Sequence, residues 1–247
     1  MRKLIFANQK GGVAKTSTAL NVAYEIARQN NRVLFIDLDP QASATSSVFG
    51  NLEFDEKNIY QVLTGPKAIS DVTVHAEKFK FDIVPSHVLL SGFELQIANR
   101  IGRERLLEQE LNGLPYDIAI VDCPPSLGLL TINALTAADE VFIPICPEYF
   151  SLKGIILFQQ TMDEVKKQLG ASFKFRGVII TRYRSRIVAR EAVEEVRKFF
   201  GPLVFETVIP ENIRVEESHN AHIPVAVLDK KCKATLAFKE LAKEVLS

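Results

Sequence analysis

The stretch Gln9-Lys10-Gly11-Gly12-Val13-Ala14-Lys15-Thr16-Ser17 decides the fold. The apolar run Lys3–Asn8 precedes it and reads as a strand. A helical pattern, Thr16–Asn30, follows, with Leu20, Ala23, Tyr24 and Ala27 on one face. Strand, glycine-rich turn and helix in that order are the setting a phosphate-binding loop needs. Gly11 and Gly12 let the backbone approach phosphate oxygens, and the N–H groups at the positive helix end hold the anion. Lys15 is placed to reach the β- and γ-phosphates of a nucleotide, and the Thr16 hydroxyl to coordinate Mg2+. The usual spacing, GxxxxGK[ST], is broken twice. Asn8 and Ala14 stand where the two glycines belong, and an extra lysine, Lys10, opens the loop. Ala14 serves there only if its backbone does not need a strongly positive φ.

Outward from the loop, apolar runs alternate with helical patterns. Arg32–Asp37, Phe81–Val84, Asp117–Asp122, Glu140–Cys146 and Lys174–Thr181 read as strands. Ile187–Phe200 and about Lys233–Leu246 read as helices, the second burying Ala237, Phe238, Leu241 and Val245. Runs such as IAIVD and VFIPI are apolar at consecutive positions, which marks strands covered on both faces. The expectation is one α/β domain over residues 1–247. Its sheet is doubly wound and mostly parallel, flanked by helices on both faces. Such sheets bind ligands at the carboxyl ends of their strands. Asp37 and Asp39 fall at one such end and share a side of the chain. Asp122 closes the strand IAIVD, where a carboxylate binds Mg2+, commonly through water.

The net charge is zero, which excludes a globally basic nucleic-acid binder. The distribution is uneven: Val165 to Arg190 holds Lys166, Lys167, Lys174, Arg176, Arg182, Arg184, Arg186 and Arg190 and no acid. Such a run makes a local positive field even on a neutral protein. Cys123, Cys146 and Cys232 lack the spacing of a zinc site or a disulfide framework. Apolar runs are too short for a bilayer span, and the first residues too short for a secretory signal, so the expected location is the cytoplasm.

The form KGGxxK[ST] resembles the deviant Walker A loop of the ParA/MinD superfamily of P-loop ATPases. DLDPQ at Asp37–Gln41 and DCPPS at Asp122–Ser126 are close to the partition ATPases, and CPEYFSLKG at Cys146–Gly154 resembles the family's PxEYFALxG stretch. Lys153 stands where relatives often carry Glu. The likeness runs from Lys3 to the last helix and is weakest over Asn51–Glu77. It implies that Lys10 crosses a dimer interface to the partner's nucleotide and that Asp39 positions the hydrolytic water. Asp37 then stands behind the Mg2+, and Pro124–Gly128 is a nucleotide-sensitive switch. Thr181, Arg182, Pro210 and Glu211 would flank adenine, and Arg184, Arg186, Arg190 and Arg214 would touch DNA. The activity implied is slow hydrolysis of Mg-ATP by an ATP-dependent homodimer. That dimer would grip double-stranded DNA without sequence preference, answer to a ParB-like partner, and sit on the nucleoid. No operator-reading domain is expected before the first strand. Three other readings share the fold. A MinD-like membrane ATPase needs a basic amphipathic C-terminal helix. An iron–sulfur carrier needs paired thiolates. A scaffold without turnover has only Ala14 in its favour.

Overall fold

The computed structural model describes residues 1–149 and 152–247. Among these, eight strands form one sheet: β1 (Arg2–Phe6), β2 (Val33–Asp37), β3 (Val74–Ala76), β4 (Phe81–Val84), β5 (Ile118–Asp122), β6 (Glu140–Ile145), β7 (Lys174–Tyr183) and β8 (Val204–Pro210). Their spatial order is β3-β4-β2-β5-β1-β6-β7-β8. Every neighbouring pair is parallel except β3 with β4. The α/β expectation therefore holds, with two strands beyond the six named above: β8 and β3, the latter a short antiparallel edge strand. The helices are α1 (Lys15–Ala27), α2 (Ser43–Phe49), α3 (Ile59–Thr64), α4 (Ile69–Val72), α5 (Phe93–Gln96), α6 (Leu106–Leu111), α7 (Leu129–Ala137), α8 (Leu152–Leu169), α9 (Ile187–Phe200), α10 (Ile213–Asn220), α11 (Val225–Leu228) and α12 (Lys233–Leu246).

Strand alternation splits the core into two layers. Leu4, Phe6, Val33, Phe35, Ile118 and Ile120 face one way and pack with Leu20 and Ile26 of α1 and Phe238 and Leu241 of α12. Ile5, Leu34, Ile36, Ala119 and Val121 face the other and meet Leu135 of α7, Phe158 of α8 and Val196 of α9. Each large apolar side chain so buried contributes roughly 1.5–3 kcal/mol, so β1, β2 and β5 are the best-anchored part of the molecule. Their carboxyl ends carry the phosphate loop, Asp37 and Asp122. The far side of the sheet is less regular. The register of β7 shifts against both its neighbours. Gly177 lies at φ 144°, and a Cβ there would collide with the Leu203 carbonyl oxygen, so no other residue fits. Among the described residues, no helix is long and apolar enough to cross a membrane.

Candidate nucleotide site

The loop between β1 and α1 is braced from three sides. Asn8 Nδ2 donates to the Pro144 carbonyl at 2.7 Å, and its Oδ1 accepts from Lys10 N at 3.0 Å. Gln9 Nε2 donates to Gly154 O at 2.7 Å, tying the loop to α8. Thr181 Oγ1 lies 2.8 Å from the carbonyl oxygens of both Val13 and Ile145. Ala14 sits at φ 54°, ψ 31°, the left-handed region. The loop thus does need a positive φ at the position where a glycine was expected, and a residue with a Cβ holds it at a cost of roughly 1–2 kcal/mol.

At the first turn of α1, Lys15 Nζ reaches Asp122 Oδ1 at 2.9 Å and Thr16 Oγ1 reaches Asp122 Oδ2 at 2.6 Å. Lys15 and Asp122 are both buried. Burial pulls the Lys15 ammonium down, but attraction to Asp122, their hydrogen bond and the charge of Asp39 outweigh it and leave the group above its ordinary range. Asp39 lines the same cavity, about 250 Å3, together with Lys10, Gly11, Gly12, Lys15 and Thr16. Its Oδ1 accepts from Gln41 N at 3.0 Å, and its carbonyl accepts from Ser86 Oγ at 2.6 Å.

Asp37 lies behind the cavity wall, as a residue standing behind the metal would. It is register partner of Asp122 on the adjacent strand but is fully buried, and it does not line the cavity. Its Oδ2 accepts from Thr45 N at 2.8 Å and Thr45 Oγ1 at 2.7 Å. It thus caps the first turn of α2, which has no side-chain cap of its own. Burial first, and then the Asp122 charge, push its carboxyl up to about 7. Among the described residues, Asp37, Asp39 and Asp122 set three buried carboxylates against one buried cation, Lys15. A surplus of buried oxygen ligands and negative charge suits a hard divalent cation. Thr16 and Asp122 present the oxygens that would hold it, and Asp37 stands one layer behind.

A second cavity, about 200 Å3, adjoins the first. Gly12, Ala14 and Ser17 line both. Its walls are Arg182, Ile209, Pro210, Glu211, Asn212 and Val215. Three of the four residues expected around a base are therefore brought together there. Thr181 is not. Its side chain is fully buried and braces the phosphate loop from below, because strand alternation turns it away from the cavity. Arg182 sits at φ 49°. It donates from Nη1 to Gly12 O at 3.2 Å and from Nη2 to Glu211 Oε1 at 3.0 Å.

The arginines expected at DNA cluster around the carboxyl end of β7 and the start of α9 and α10. In the single chain most already face a carboxylate. Arg184 pairs with Glu211, Arg186 with Glu148 at 3.3 Å, and Arg214 with Glu217 at 2.7 Å. Arg190 donates to Ser185 Oγ at 3.0 Å. Of the CPEYFSLKG stretch, Phe150 and Ser151 lie outside the described residues. Sequence reading missed Ser43, Ser47 and His219, which line the phosphate cavity beside Asp39. Ser43 and Ser47 lie on α2, just past DLDPQ, and His219 on α10, far along the chain; no motif marks any of them.

A glycine-rich loop leading from a central parallel strand into a helix, opposite an aspartate on the next strand, is the architecture shared by P-loop nucleotide-binding proteins. The family model described as an AAA domain matches residues 1–175. The chromosome partitioning protein ParA of Caulobacter vibrioides is 37% identical over 252 residues, covering 100% of this chain and 94% of that one. The sporulation initiation inhibitor protein Soj of Bacillus subtilis is 37% identical over 249 residues, covering 99% and 98%. The crystal structure of cobyrinic acid a,c-diamide synthase from Mycobacterium smegmatis, with bound ADP and magnesium, superposes with a TM-score of 0.85 at 32% identity, covering 100% of this chain and 94% of that one. The chain belongs to the ParA/Soj family of partition ATPases.

Proposed function

We propose that this protein, acting as one ParA-type domain, binds Mg-ATP, dimerises around it, hydrolyses it slowly and in the dimer holds double-stranded DNA without sequence preference. The observation that supports this most directly is the convergence of Lys15 and Thr16 on Asp122 beside Asp39. Lys15 neutralises the terminal phosphates, and the loop amides from Gly11 to Ser17 cradle them. When bound, Mg2+ offsets charge that builds on the phosphate oxygens, with Thr16 and Asp122 holding it and Asp37 behind. Asp39 is a buried carboxylate on the cavity wall, suited to orient the attacking water and accept its proton. Lys10 is exposed at the loop mouth, where its ammonium extends to a second protomer's nucleotide. Arg182, Pro210 and Glu211 bound the space for the base.

Arg184, Arg186, Arg190 and Arg214 contact phosphates of the duplex, and two such patches act together once the dimer forms. A ParB-like partner raises turnover, and the protein works in the cytoplasm on the nucleoid to segregate a cargo. The relatives named as ParA and Soj support this reading. Light scattering and steady-state turnover test it. With ATP, Asp39→Ala should bind nucleotide, accumulate as dimer and lose turnover by about a hundredfold, the scale of one positioned acid–base group. Lys10→Ala should stay monomeric. Parental turnover in Asp39→Ala, or no mass change with ATP, refutes it.

A further inference from the structure

Helix α10 walls both cavities. Val215 and Glu216 line the one proposed for the base, and His219, one turn on, lines the phosphate cavity opposite Lys15 and Thr16. The His219 Nε2 is buried and has no hydrogen-bond partner among the described residues. Buried ring nitrogens are almost always paired, so an orphan in a side chain that lines a cavity points to a ligand that the ring meets there. The chain also packs tightly just past the helix. His222 lies at φ 54° with its ring against Gly50, the residue that ends α2 at φ 70°. A Cβ on Gly50 would come within 3.0 Å of the His222 Nε2. That contact sets the end of α10 beside α2, whose Ser43 and Ser47 line the same cavity as His219 and Asp39.

We propose that His219 is a nucleotide contact, its Nε2–H donating to a phosphate oxygen of the nucleotide in this cavity. The proposal rests on reading the cavity as a nucleotide site. It makes α10 a helix that touches nucleotide through His219 while carrying Arg214 in its first turn. Burial holds the imidazole below its ordinary range, and a phosphate beside it would favour the imidazolium. Glu216 on its own helix acts on it, and Lys10, Lys15 and Asp39 are the charged groups that line the same cavity. The packed helices α2 and α11 carry no charge.

Calorimetric titration with Mg-ADP at about pH 6 and about pH 8, on the full chain, decides the matter. His219→Ala should bind roughly tenfold more weakly than the parent, the loss of one charge-assisted hydrogen bond. His219→Gln, whose amide N–H reaches the same point, should recover most of that loss. The parent should bind more tightly at the lower pH, and both variants should lose that trend relative to it, since all other charges are shared. Thermal melts without nucleotide show whether each variant is folded. Parental affinity in His219→Ala overturns the proposal. So does the parental pH trend in His219→Gln, which decides the case even where the alanine variant fails to fold. If the parent itself binds no ADP, the nucleotide reading falls and takes this contact with it.

Discussion

The two ends of the nucleotide cavity are built by opposite means. At the phosphate end, Lys15, Asp37 and Asp122 are buried on or beside the best-packed strands, and each polar group meets another at hydrogen-bond distance. At the base end, Arg182 and Arg184 share Glu211 in a half-exposed arrangement, on strands whose register slips and with Arg182 in a left-handed conformation. Half-exposed ion pairs are weakly held and are exchanged at little cost, whereas buried ones are not. The difference teaches where each function can live. The proposed grip on phosphate and metal sits where geometry cannot drift. The proposed base contact and grip on DNA sit where arginines can change partners.

The largest effect should come from breaking the buried end. Lys15→Ala removes the cation paired with Asp122 in the buried site, and stranding such a charge costs about 3–5 kcal/mol. Nucleotide binding should vanish in a fluorescence titration. Denaturant melts should show the loss of stability at neutral pH and partial recovery in acid. The sign follows from burial, which already raises the Asp122 carboxyl. Such a group favours folding when protonated and opposes it as pH rises. A variant as stable as the parent at pH 7 would mean the two ends are not built so differently.

Next comes the exposed end. Reversing Arg184, Arg186 and Arg214 together to Glu sets carboxylates against Glu211, Glu148 and Glu217. ATP-dependent binding to random-sequence duplex should be lost, with basal turnover kept. Single reversals should flatten the dependence of log affinity on log salt by about 0.9 for each phosphate contact removed. Full DNA binding by the triple variant, or equal binding with ADP and ATP, would disprove the proposed interface. Because these arginines are paired in the single chain, the duplex must compete with their carboxylates, and exposed pairs yield to a polyanion readily.

What the sequence made legible follows the same division. The strands β1, β2, β5 and β6 were readable because burial on both faces writes a nearly continuous apolar run. The loop from Lys10 to Ser17 was readable because a phosphate demands backbone amides, a lysine and a hydroxyl at one spacing. Residues whose roles depend on packing were not. The alternation that puts Asp37 and Asp39 on one side does not reveal that Thr45 claims Asp37, eight residues away in the chain. Thr181 ends an apolar run, yet only the register of β7 against β6 shows that it points under the loop. β3 escaped because three residues at an edge, Val74 half-buried, His75 exposed and Ala76 buried, are too few to carry a periodicity. His219 carries no motif at all; only the return of α10 over α2 brings it to the cavity.

A smaller effect tests the carboxylate pair. Asp37, with its folded carboxyl near 7 against an ordinary value of 3.8, binds a proton in the folded chain that the unfolded chain has released. Between those values stability therefore falls as pH rises, at no more than about 1.4 kcal/mol per pH unit from this group. Measured in chelator, Asp37→Asn should shows a shallower decline over that window, whatever its offset. An unchanged slope would show that Asp37 stays ionised and that the buried surplus of charge is shared otherwise.

The smallest effect is the sharpest check on the phosphate loop itself. Ala14 holds φ 54° where no cap or side-chain hydrogen bond rewards a Cβ. Ala14→Gly removes the left-handed cost of roughly 1–2 kcal/mol. It also adds about 0.5–1 kcal/mol of chain entropy to the unfolded state. The two nearly offset, and the strain relief should win narrowly. That raises the melting temperature by about 1–4 °C for a chain of this size. Nucleotide affinity should hold or improve slightly, because the N–H groups of the loop keep their directions. A fall in melting temperature would mean that the Thr181 and Asn8 braces hold Ala14 at φ > 0 at less than the usual cost, so that the loop's rigidity comes from its surroundings more than from its own residues.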